Sequence, residues 1–374
     1  MCTTEWWRPV ANERTTSKRV TRNDVAKRAK TSTAVVSYVV NGGPRSVSQH
    51  TQDRVNAAIK ELGYRPNGLA RALRANRTLV LGLLVPDATN PFFAQFSKAV
   101  EDFAFSQGFT LLFGNASDDL EREAFYLRSF GEQQIDGLLL MSVGGGTKSL
   151  VELDRLHSRL VVVDRLLSNI EATTLIVDNE GGGFLGTNHL IEHGHRVIGC
   201  VSGPSDLTPS ADRHRGWSRA LREAGLKPLP TLIVRSDFHQ LGGYEATRAL
   251  LQNENRPTAI FVSTDIQALG SLRAIADAGL SVPEDVAIVS FDGIVDCSYT
   301  VPGLTTVAQP IEELGRAAMA KLIELVRNPD AATTNEVLPV KLIVRGSCGC
   351  RDEFVVDATQ RDDASGSATD EVGF

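Results

Sequence analysis

Residues 20–41 read VTRNDVAKRAKTSTAVVSYVVN, and this stretch decides the fold of the N-terminal part of the chain. Thr21 is a good helix cap, and Asp24 follows three residues later, as in a capping box. After a short turn, Ser32 caps a second segment, Thr33–Val40, in which valines recur at helical spacing. The pattern therefore predicts two short helices joined by a tight turn.

The next segment predicts a third helix that braces the first two. Gly42-Gly-Pro44 cannot continue a helix, so the second helix has to end near Asn41. Ser48 caps a further amphipathic helix that runs to Leu62, where a glycine ends it. Three helices in this arrangement form a helix-turn-helix, and the second helix would enter the major groove of DNA.

The charge of the chain is unevenly distributed. The net charge of −6 over 374 residues argues, taken alone, against a nucleic-acid partner. Residues 18–77, however, carry thirteen Lys or Arg and three acids, a net charge of +10, and the remainder of the chain carries −16. A basic module on an acidic body indicates nucleic-acid binding, although a solvated basic helical face would give the same count.

From Thr78 onward, apolar runs of strand length alternate with periodic stretches of helix length. This alternation predicts parallel sheets with crossover helices, in two α/β lobes with a ligand cleft between them at the carboxyl ends of the strands. The predicted strands are Leu79–Pro86, Phe109–Gly114, Ile135–Ser142, Leu160–Asp164, Leu175–Asp178, Val197–Gly203, Thr231–Val234, Ala259–Ser263 and Val286–Phe291, and the predicted helices include Phe93–Gln107, Arg213–Ala224 and Ile266–Ala278.

The sequence indicates a cytoplasmic protein without a metal site. No apolar run approaches the roughly 18 residues of a membrane span, and no secretory signal is recognisable, so we expect no membrane partner. The five cysteines are scattered, which suits a reducing compartment. Cys348-Gly-Cys350 could form half of a metal site, but no second Cys or His pair follows at zinc-finger spacing. We assign His189, His193 and His195 to the protein surface at a helix end.

One glycine motif allows an enzymatic interpretation. Residues 181–186 read GGGFLG, a literal G-x-G-x-x-G that follows a predicted strand and opens a helix, as in dinucleotide-binding sites. No acid ends a following strand about 20 residues further on, as ribose binding requires. We interpret the glycines as close helix packing and expect neither a cofactor nor an enzyme. A nicotinamide-dependent oxidoreductase stays open as the alternative.

Four ordered motifs carry a resemblance to a known family. Val20–Ala29, Ser32–Asn41, Leu62–Asn67 and Ala70–Leu73 together resemble the DNA-binding headpiece of the LacI family of transcriptional regulators. The resemblance continues to about residue 350, through segments such as DATNPFF at 87–93, and this part is similar to the family's effector domain, which has the periplasmic sugar-binding fold.

The resemblance implies a fold, a domain organisation and a function. We expect an all-α helix-turn-helix headpiece followed by a two-lobed α/β effector domain. The expected segments are a disordered tail at 1–19, the headpiece at 20–64, a hinge helix or linker at 65–77, an effector-binding and dimerisation domain at 78–350, and a disordered acidic tail at 351–374. The expected function is repression of transcription by a homodimer on a near-palindromic operator, under the control of a small ligand, expected to be a sugar. A solute-binding protein without a DNA role is the other alternative.

The resemblance also assigns DNA contacts. Contacts to phosphate or sugar, or the framing of such contacts, are expected from Thr21, Ser32, Ser37, Asn41, Ser48, Thr51, Tyr64 and Asn67. The base-reading face consists of Thr33, Ala34 and Tyr38. The family usually has an Arg at the position of Tyr38, and Tyr cannot read guanine bidentately, so the operator sequence is left open. In the hinge, Ala70 and Leu73 are expected at the DNA, with Leu73 wedged into the minor groove.

The effector pocket is expected at strand ends of the two lobes. The residues that match the family's pocket are Phe92, Phe93, Asp164, Arg165, Arg213, Phe238, Asp265 and Asp292. Carboxylates and Arg hydrogen-bond hydroxyl groups, and an aromatic ring covers the apolar face of a sugar. Leu207 and Pro209 stand where a purine-binding member of the family has polar ligand contacts, which argues against a purine.

Overall fold

The computed structural model describes residues 20–41, 46–65, 77–144, 147–154, 159–165, 167, 170–351 and 354–357. The chain divides into two compact units, Met1–Thr78 and Leu79–Phe374. The expected tail at 1–19, most of the expected hinge (66–76) and residues 358–374 lie outside the described residues. Among those that are described, no helix is both long enough and apolar enough to cross a membrane.

The first unit contains the three predicted helices, α1 (Arg22–Arg28), α2 (Thr33–Asn41) and α3 (Gln49–Leu62). Thr21 and Asp24 form the predicted capping box, in which the Thr21 amide donates to the Asp24 carboxylate at 2.8 Å. Gly63 ends α3 in the left-handed region at φ 62°. The three helices enclose a small core of Val25, Ala26, Ala29, Val36, Val55, Ala58 and Tyr64.

Lobe 1 of the second unit is built on a six-stranded parallel sheet. Its strands are β1 (Val80–Val85), β2 (Thr110–Asn115), β3 (Gly137–Leu140), β4 (Leu160–Val163), β5 (Thr173–Val177) and β11 (Asn335–Leu338). The helices on this sheet are α4 (Pro91–Ser106), α5 (Leu120–Glu132), α6 (Thr147–Leu153) and α11 (Ile311–Arg327). The strand order is β11-β5-β4-β3-β1-β2, and all the pairs are parallel.

Lobe 2 is built on a seven-stranded mixed sheet. Its strands are β6 (Ile198–Ser202), β7 (Ile233–Arg235), β8 (Ala259–Val262), β9 (Ala287–Asp292), β10 (Thr305–Ala308), β12 (Lys341–Val344) and β13 (Phe354–Asp357). Its helices are α7 (Asn179–Glu192), α8 (Thr208–Glu223), α9 (Gln240–Leu251) and α10 (Asp265–Asp277), with short 3-10 turns at Pro230–Leu232, Val295–Ser298 and Gly346–Cys348. The order is β13-β12-β10-β9-β8-β6-β7, in which β12 runs antiparallel to both of its neighbours.

The chain passes between the lobes three times: after β5, after β10, and between β11 and β12. The predicted fold class, a helical headpiece followed in sequence by two α/β lobes, is confirmed. Each of the nine predicted strands overlaps an observed strand. The expected disordered tail at 351–374 starts too early, because residues 354–357 form β13, which pairs with β12 and is the edge strand of the sheet. The sequence FVVD at that position has the β-branched residues that favour a strand.

The glycine run of α7 is a packing surface. A Cβ atom on Gly183 would lie 2.3 Å from the carbonyl oxygen of Arg213 in α8, and one on Gly182 would lie 2.5 Å from the ring of Phe291. The Asp178 carboxylate caps α7 and accepts a hydrogen bond from the Gly181 amide at 2.7 Å. A carboxylate therefore occupies the position at which a dinucleotide site would hold a pyrophosphate, and the packing interpretation of the motif fits the structure.

Candidate DNA-binding face and effector pocket

The headpiece presents most of the predicted DNA contacts on its surface. Thr33 and Ala34 at the start of α2 are exposed, and Tyr38, one turn further along, is half-buried. The remaining predicted contacts with an exposed or half-buried side chain are Thr21, Ser32, Ser37, Ser48 and Thr51. Tyr64 is an exception, because it is buried in the headpiece core. The side chain of Asn41, and Asn67, Ala70 and Leu73, lie outside the described residues.

The N-termini of α2 and α3 suit contacts with phosphate. Neither helix has an acidic residue in its first turn, so no carboxylate competes with an incoming anion there. Ser32 accepts a hydrogen bond from the Val35 amide at 3.3 Å, and the hydroxyls of Ser48 and Thr51 lie 3.0 Å apart. These hydroxyls are therefore held at helix starts, where phosphate contacts fix the register of a headpiece on a duplex.

The second unit has a cavity between its two lobes. Lobe 1 contributes Asn90, Phe92, Phe93, Asp164 and Arg165, and lobe 2 contributes Pro209, Arg213, Phe238, Thr264, Asp292 and Gln309. The structure thus brings together seven of the eight predicted effector residues. The cavity lies at the carboxyl ends of parallel strands from both sheets, as expected of this class of fold.

On the lobe 2 side, a buried ion pair dominates the cavity wall. Arg213 Nη1 lies 3.1 Å from Asp292 Oδ1, and the side chains of these two residues are 3% and 5% exposed. The same guanidinium donates to Asn179 Oδ1 at 2.8 Å and to the carbonyl oxygen of Ser263 at 2.7 Å, and it lies 3.7 Å from the centre of the Phe291 ring. Arg213 is therefore fixed on every side, as a recognition group needs to be.

Asp292 is unusual in both charge and conformation. Burial raises the pKa of its carboxyl group to about 7, although Arg213 acts in the opposite direction. Its φ angle is 124°, in a region that non-glycine residues rarely adopt. Such strain costs of order 1–3 kcal/mol and is typical of residues held in place for binding. The Gln309 side chain donates to Asp292 Oδ1 at 2.9 Å, which fixes the carboxylate further.

On the lobe 1 side, a second acid and a second base follow β4. Asp164 has a φ of 67° and is buried, as is Arg165. Arg165 Nη1 donates to the carbonyl oxygens of Ser142 and Val143 at 3.0 and 3.2 Å, and Arg165 Nε lies 3.8 Å from Asp164 Oδ2. Two acids and two guanidinium groups thus line the cavity, and their formal charges cancel.

Aromatic rings from both lobes complete the cavity. The rings of Phe92 and Phe93 meet edge to face, with centroids 5.2 Å apart, at the start of α4, where Asn90 caps the helix. Phe238 enters from lobe 2 by packing on Gly203, where a Cβ atom would lie 2.1 Å from the ring. Such rings suit the apolar face of a cyclic ligand.

Asp265 is the predicted effector residue that does not line the cavity. It is fully buried, and its Oδ1 accepts from the hydroxyls of Ser290 and Thr306 at 2.5 and 2.7 Å. Its Oδ2 accepts from the amides of Gly293 and Ile294 at 2.6 and 2.8 Å. The carboxylate therefore faces β9 and the loop after it, where it fixes the backbone next to Asp292.

The sequence argument missed several cavity residues. Asn90, Thr264 and Gln309 were not predicted, and Pro209 was noted only for what it replaces. Thr264 lies two residues after the end of β8, and Gln309 directly follows β10. The rule that ligands bind at strand ends could have found both, but it does not say which side of the strand end faces the cleft.

Comparisons with known proteins agree with this geometry. Residues 21–67 match the family described as "Bacterial regulatory proteins, lacI family", and residues 187–348 match "Periplasmic binding protein-like domain". A relative from Aliivibrio salmonicida, "HTH-type transcriptional repressor PurR", is 40% identical over 309 residues, 82% of this chain and 92% of the relative. A relative of the same name from Escherichia coli is 39% identical over 330 residues, 87% of this chain and 96% of the relative.

Solved structures of transcriptional regulators also match this chain. The lac repressor dimer bound to operator and the anti-inducer ONPF matches with a TM-score of 0.79 and 28% identity, over 88% of this chain and 99% of that chain. The complex of the transcriptional regulator CelR with cellobiose matches with a TM-score of 0.67 and 31% identity, over 88% of this chain and all of that chain.

A helix-turn-helix unit joined to a two-lobed domain with a cavity between the lobes defines a class of DNA-binding transcriptional regulators. This chain belongs to the LacI family of that class. It is a transcriptional repressor and not an enzyme, so the oxidoreductase alternative is wrong. The alternative of a solute-binding protein without a DNA role is wrong for the same reason.

Proposed function

We propose that this repressor binds a near-palindromic operator as a homodimer in the cytoplasm, and that an uncharged small ligand in the cavity between its lobes controls the binding. The observation that carries the proposal is the cavity wall. Asp164 and Arg165 from one lobe meet Arg213 and Asp292 from the other, next to aromatic rings. A ligand that contacts both lobes would change the angle between them, and so would favour one conformation of the dimer over the other.

A sugar is our first candidate for the ligand. When Asp292 is ionised, the formal charges of the four groups sum to zero, so the cavity suits a neutral molecule with several hydrogen-bonding groups. Gln309 Oε1 is buried and has no hydrogen-bond partner within the described part of the chain, so a ligand hydroxyl could satisfy it. Two solved relatives support this choice by their ligands: one is a complex with cellobiose, and the other, a LacI family regulator from Enterococcus faecium, has bound ribose.

A purine base is the second candidate. Phe92 and Phe238 come from opposite lobes, and flat rings on two sides of a cavity can stack on a planar heterocycle. Against this candidate, Pro209 lines the cavity and Leu207 is buried at the start of α8, at the positions where a purine-binding member of the family has polar ligand contacts. The two ligand classes are therefore compared directly in the experiment below.

At the DNA, the headpiece and the expected hinge at 65–77 would have different roles. Hydroxyls at the starts of α2 and α3 would hold phosphates, while Thr33, Ala34 and Tyr38 would face the bases. Leu73, in the expected hinge at 65–77, would enter the minor groove and kink the operator. Unstacking a base step costs a few kcal/mol, which wider contact with the bent duplex offsets.

The test combines a genomic selection with a binding assay. Purified protein is used to enrich genomic DNA fragments, with and without panels of sugars and purines, and the same compounds are screened by thermal shift. We expect a palindromic site to be enriched and at least one sugar to raise the melting temperature and change DNA binding. A purine that does so instead identifies the second candidate, and failure to enrich any palindrome contradicts the operator proposal.

Two variants assign the response to the cavity. Asp292→Asn keeps the shape of the side chain but removes its charge, so it should abolish the thermal shift caused by the active compound. Asp277→Asn is the matched control, because Asp277 lies on the surface at the end of α10 and pairs with Arg273 there. A compound that stabilises both variants equally binds elsewhere, which contradicts the proposed site.

A further inference from the structure

Two histidines and two cysteines from distant parts of the chain form a cluster in lobe 2. His189 and His193 lie one turn apart at the end of α7, and Cys348 and Cys350 lie in the segment that follows β12. One potential ligand atom from each of the four side chains lies within 4.8 Å of the others. This cluster was not expected from the sequence, because 159 positions separate His189 from Cys348.

The spacing of the four atoms fits a tetrahedral metal site. His189 Nε2 lies 3.2 Å from Cys348 Sγ and 3.9 Å from Cys350 Sγ, and His193 Nε2 lies 3.3 Å from Cys350 Sγ. Zinc bonds of about 2.3 Å to sulfur and about 2.0–2.1 Å to nitrogen place neighbouring ligand atoms roughly 3.3–3.8 Å apart in a tetrahedron. The observed sulfur–nitrogen distances thus differ from this spacing by only a few tenths of an ångström.

The local structure explains how the cluster is built. Residues four apart on a helix share a face, so both imidazoles project from the same side of α7, with ring centroids 4.6 Å apart. Gly349 has a φ of 98° and reverses the chain between the two cysteines, which places both sulfurs next to α7. Cys348 is held further by the Thr305 hydroxyl, which donates to its sulfur at 3.2 Å.

The burial of the four residues is graded. His189 and Cys348 are 7% and 2% exposed, whereas Cys350 is half-buried and His193 is exposed. An ion could therefore enter from the side of His193 and Cys350 and then be enclosed by the other two ligands. The cluster is also separate from the effector cavity, because Arg213 of the cavity wall contacts Asn179 at the opposite end of α7, a helix about 20 Å long.

We propose that His189, His193, Cys348 and Cys350 bind one Zn²⁺ ion. Two sulfur and two nitrogen ligands in a tetrahedron are typical of structural zinc sites. Each thiol gives its proton to solvent when the metal binds, so the positive charge of the ion is neutralised by two thiolates. The ion links the end of α7 to the chain beyond β12, and it stabilises the C-terminal edge of the lobe 2 sheet.

The test measures metal binding by the full-length protein, purified under reducing conditions without chelator. Zinc per chain is determined by mass spectrometry, and the metal-free protein is titrated with Co²⁺, which gives intense visible bands in a tetrahedral thiolate site. We expect one zinc per chain, displacement of cobalt by zinc, and a rise in melting temperature on zinc addition. Absence of zinc together with a weak, octahedral cobalt spectrum overturns the proposal, as does a disulfide between Cys348 and Cys350 in the reduced preparation.

Three variants identify the ligands. Cys350→Ser and His193→Gln should each weaken zinc binding at least tenfold, since each removes one of the four ligands. His195→Gln is the matched control: His195 is close in sequence, but its ring contacts the Thr258 hydroxyl at 2.9 Å and is not part of the cluster. Because His193 is exposed, its replacement leaves the core unchanged. Wild-type zinc affinity in both ligand variants refutes the assignment.

Discussion

Replacing Gly183 in α7 with Ala tests the packing interpretation of the glycine motif. The new Cβ atom would lie 2.3 Å from the carbonyl oxygen of Arg213, whereas ordinary contacts begin at 3.4 Å. The two helices would have to separate by about 1 Å. The added Cβ atom is bonded directly to the backbone and its neighbour is a backbone oxygen, so no side-chain rotation can relieve the contact. Overpacking of this kind costs about 1–3 kcal/mol and occasionally more.

Helix propensity acts in the opposite direction, since Ala is favoured over Gly inside a helix by roughly 0.5–1 kcal/mol. We expect a net loss of about 1 kcal/mol in the free energy of unfolding for Gly183→Ala. The matched control is Gly131→Ala in α5, where a Cβ atom meets nothing within 4 Å. That variant should gain about 0.5–1 kcal/mol from propensity alone.

The assay is urea unfolding followed by tryptophan fluorescence in a background with Trp6→Phe and Trp7→Phe, so that the signal comes from Trp217, which is fully buried in α8 next to the perturbed contact. The midpoint should fall for Gly183→Ala and rise slightly for Gly131→Ala, with similar slopes. If Gly183→Ala unfolds at the wild-type urea concentration, the contact between α7 and α8 is not tight and the packing explanation of the motif is wrong.

Three further predictions concern the cavity and the headpiece. Burial raises the pKa of Asp292 to about 7, so lowering the pH from 8 to 6 protonates its carboxylate. The affinity for the active compound, measured by calorimetry, should then fall about tenfold, and an unchanged affinity contradicts this prediction. Thr21→Ala should destabilise α1 by about 1 kcal/mol through loss of its cap, visible as faster amide hydrogen exchange, whereas Thr21→Ser should not. Tyr38→Arg should release about one more counterion on DNA binding, so that the affinity falls more steeply with salt concentration, and it should favour guanine in the selected sites. An unchanged selection would show that position 38 does not face the bases.

The sequence predicted the architecture because local patterns determine it. Strongly apolar segments such as Leu79–Pro86 and Ala259–Ser263 can only be buried strands between helices. The strands after β9 were not predicted, because each of these four-residue segments contains a polar or charged residue, whereas predicted strands of the same length such as β4 and β8 are entirely apolar. Residues 354–357 were assigned to a tail for a similar reason: their neighbours are polar, and the pairing partner β12 is not visible from the local sequence.

The effector cavity was predicted in large part because strand ends converge in this class of fold. Asp265 and Asp292 both follow or end a strand, but Asp265 hydrogen-bonds the loop after β9 whereas Asp292 lines the cavity. The direction of each side chain decides this difference, and that direction depends on tertiary packing. The cluster of His189, His193, Cys348 and Cys350 also depends on tertiary packing. A search for metal ligands at short spacings along the sequence cannot find two pairs that only the folded chain brings together.

The three passages of the chain between the lobes have a consequence for synthesis on the ribosome. Lobe 1 receives α11 and β11 only after all the helices of lobe 2 have been made. Leu322 and Val326 of α11 pack against the strand that contains Gly137, so this late helix covers a sheet made much earlier. The lobe made first is thus completed near the end of translation, and its exposed apolar face has to be protected until then. The headpiece, in contrast, is continuous in sequence and can fold as soon as it emerges.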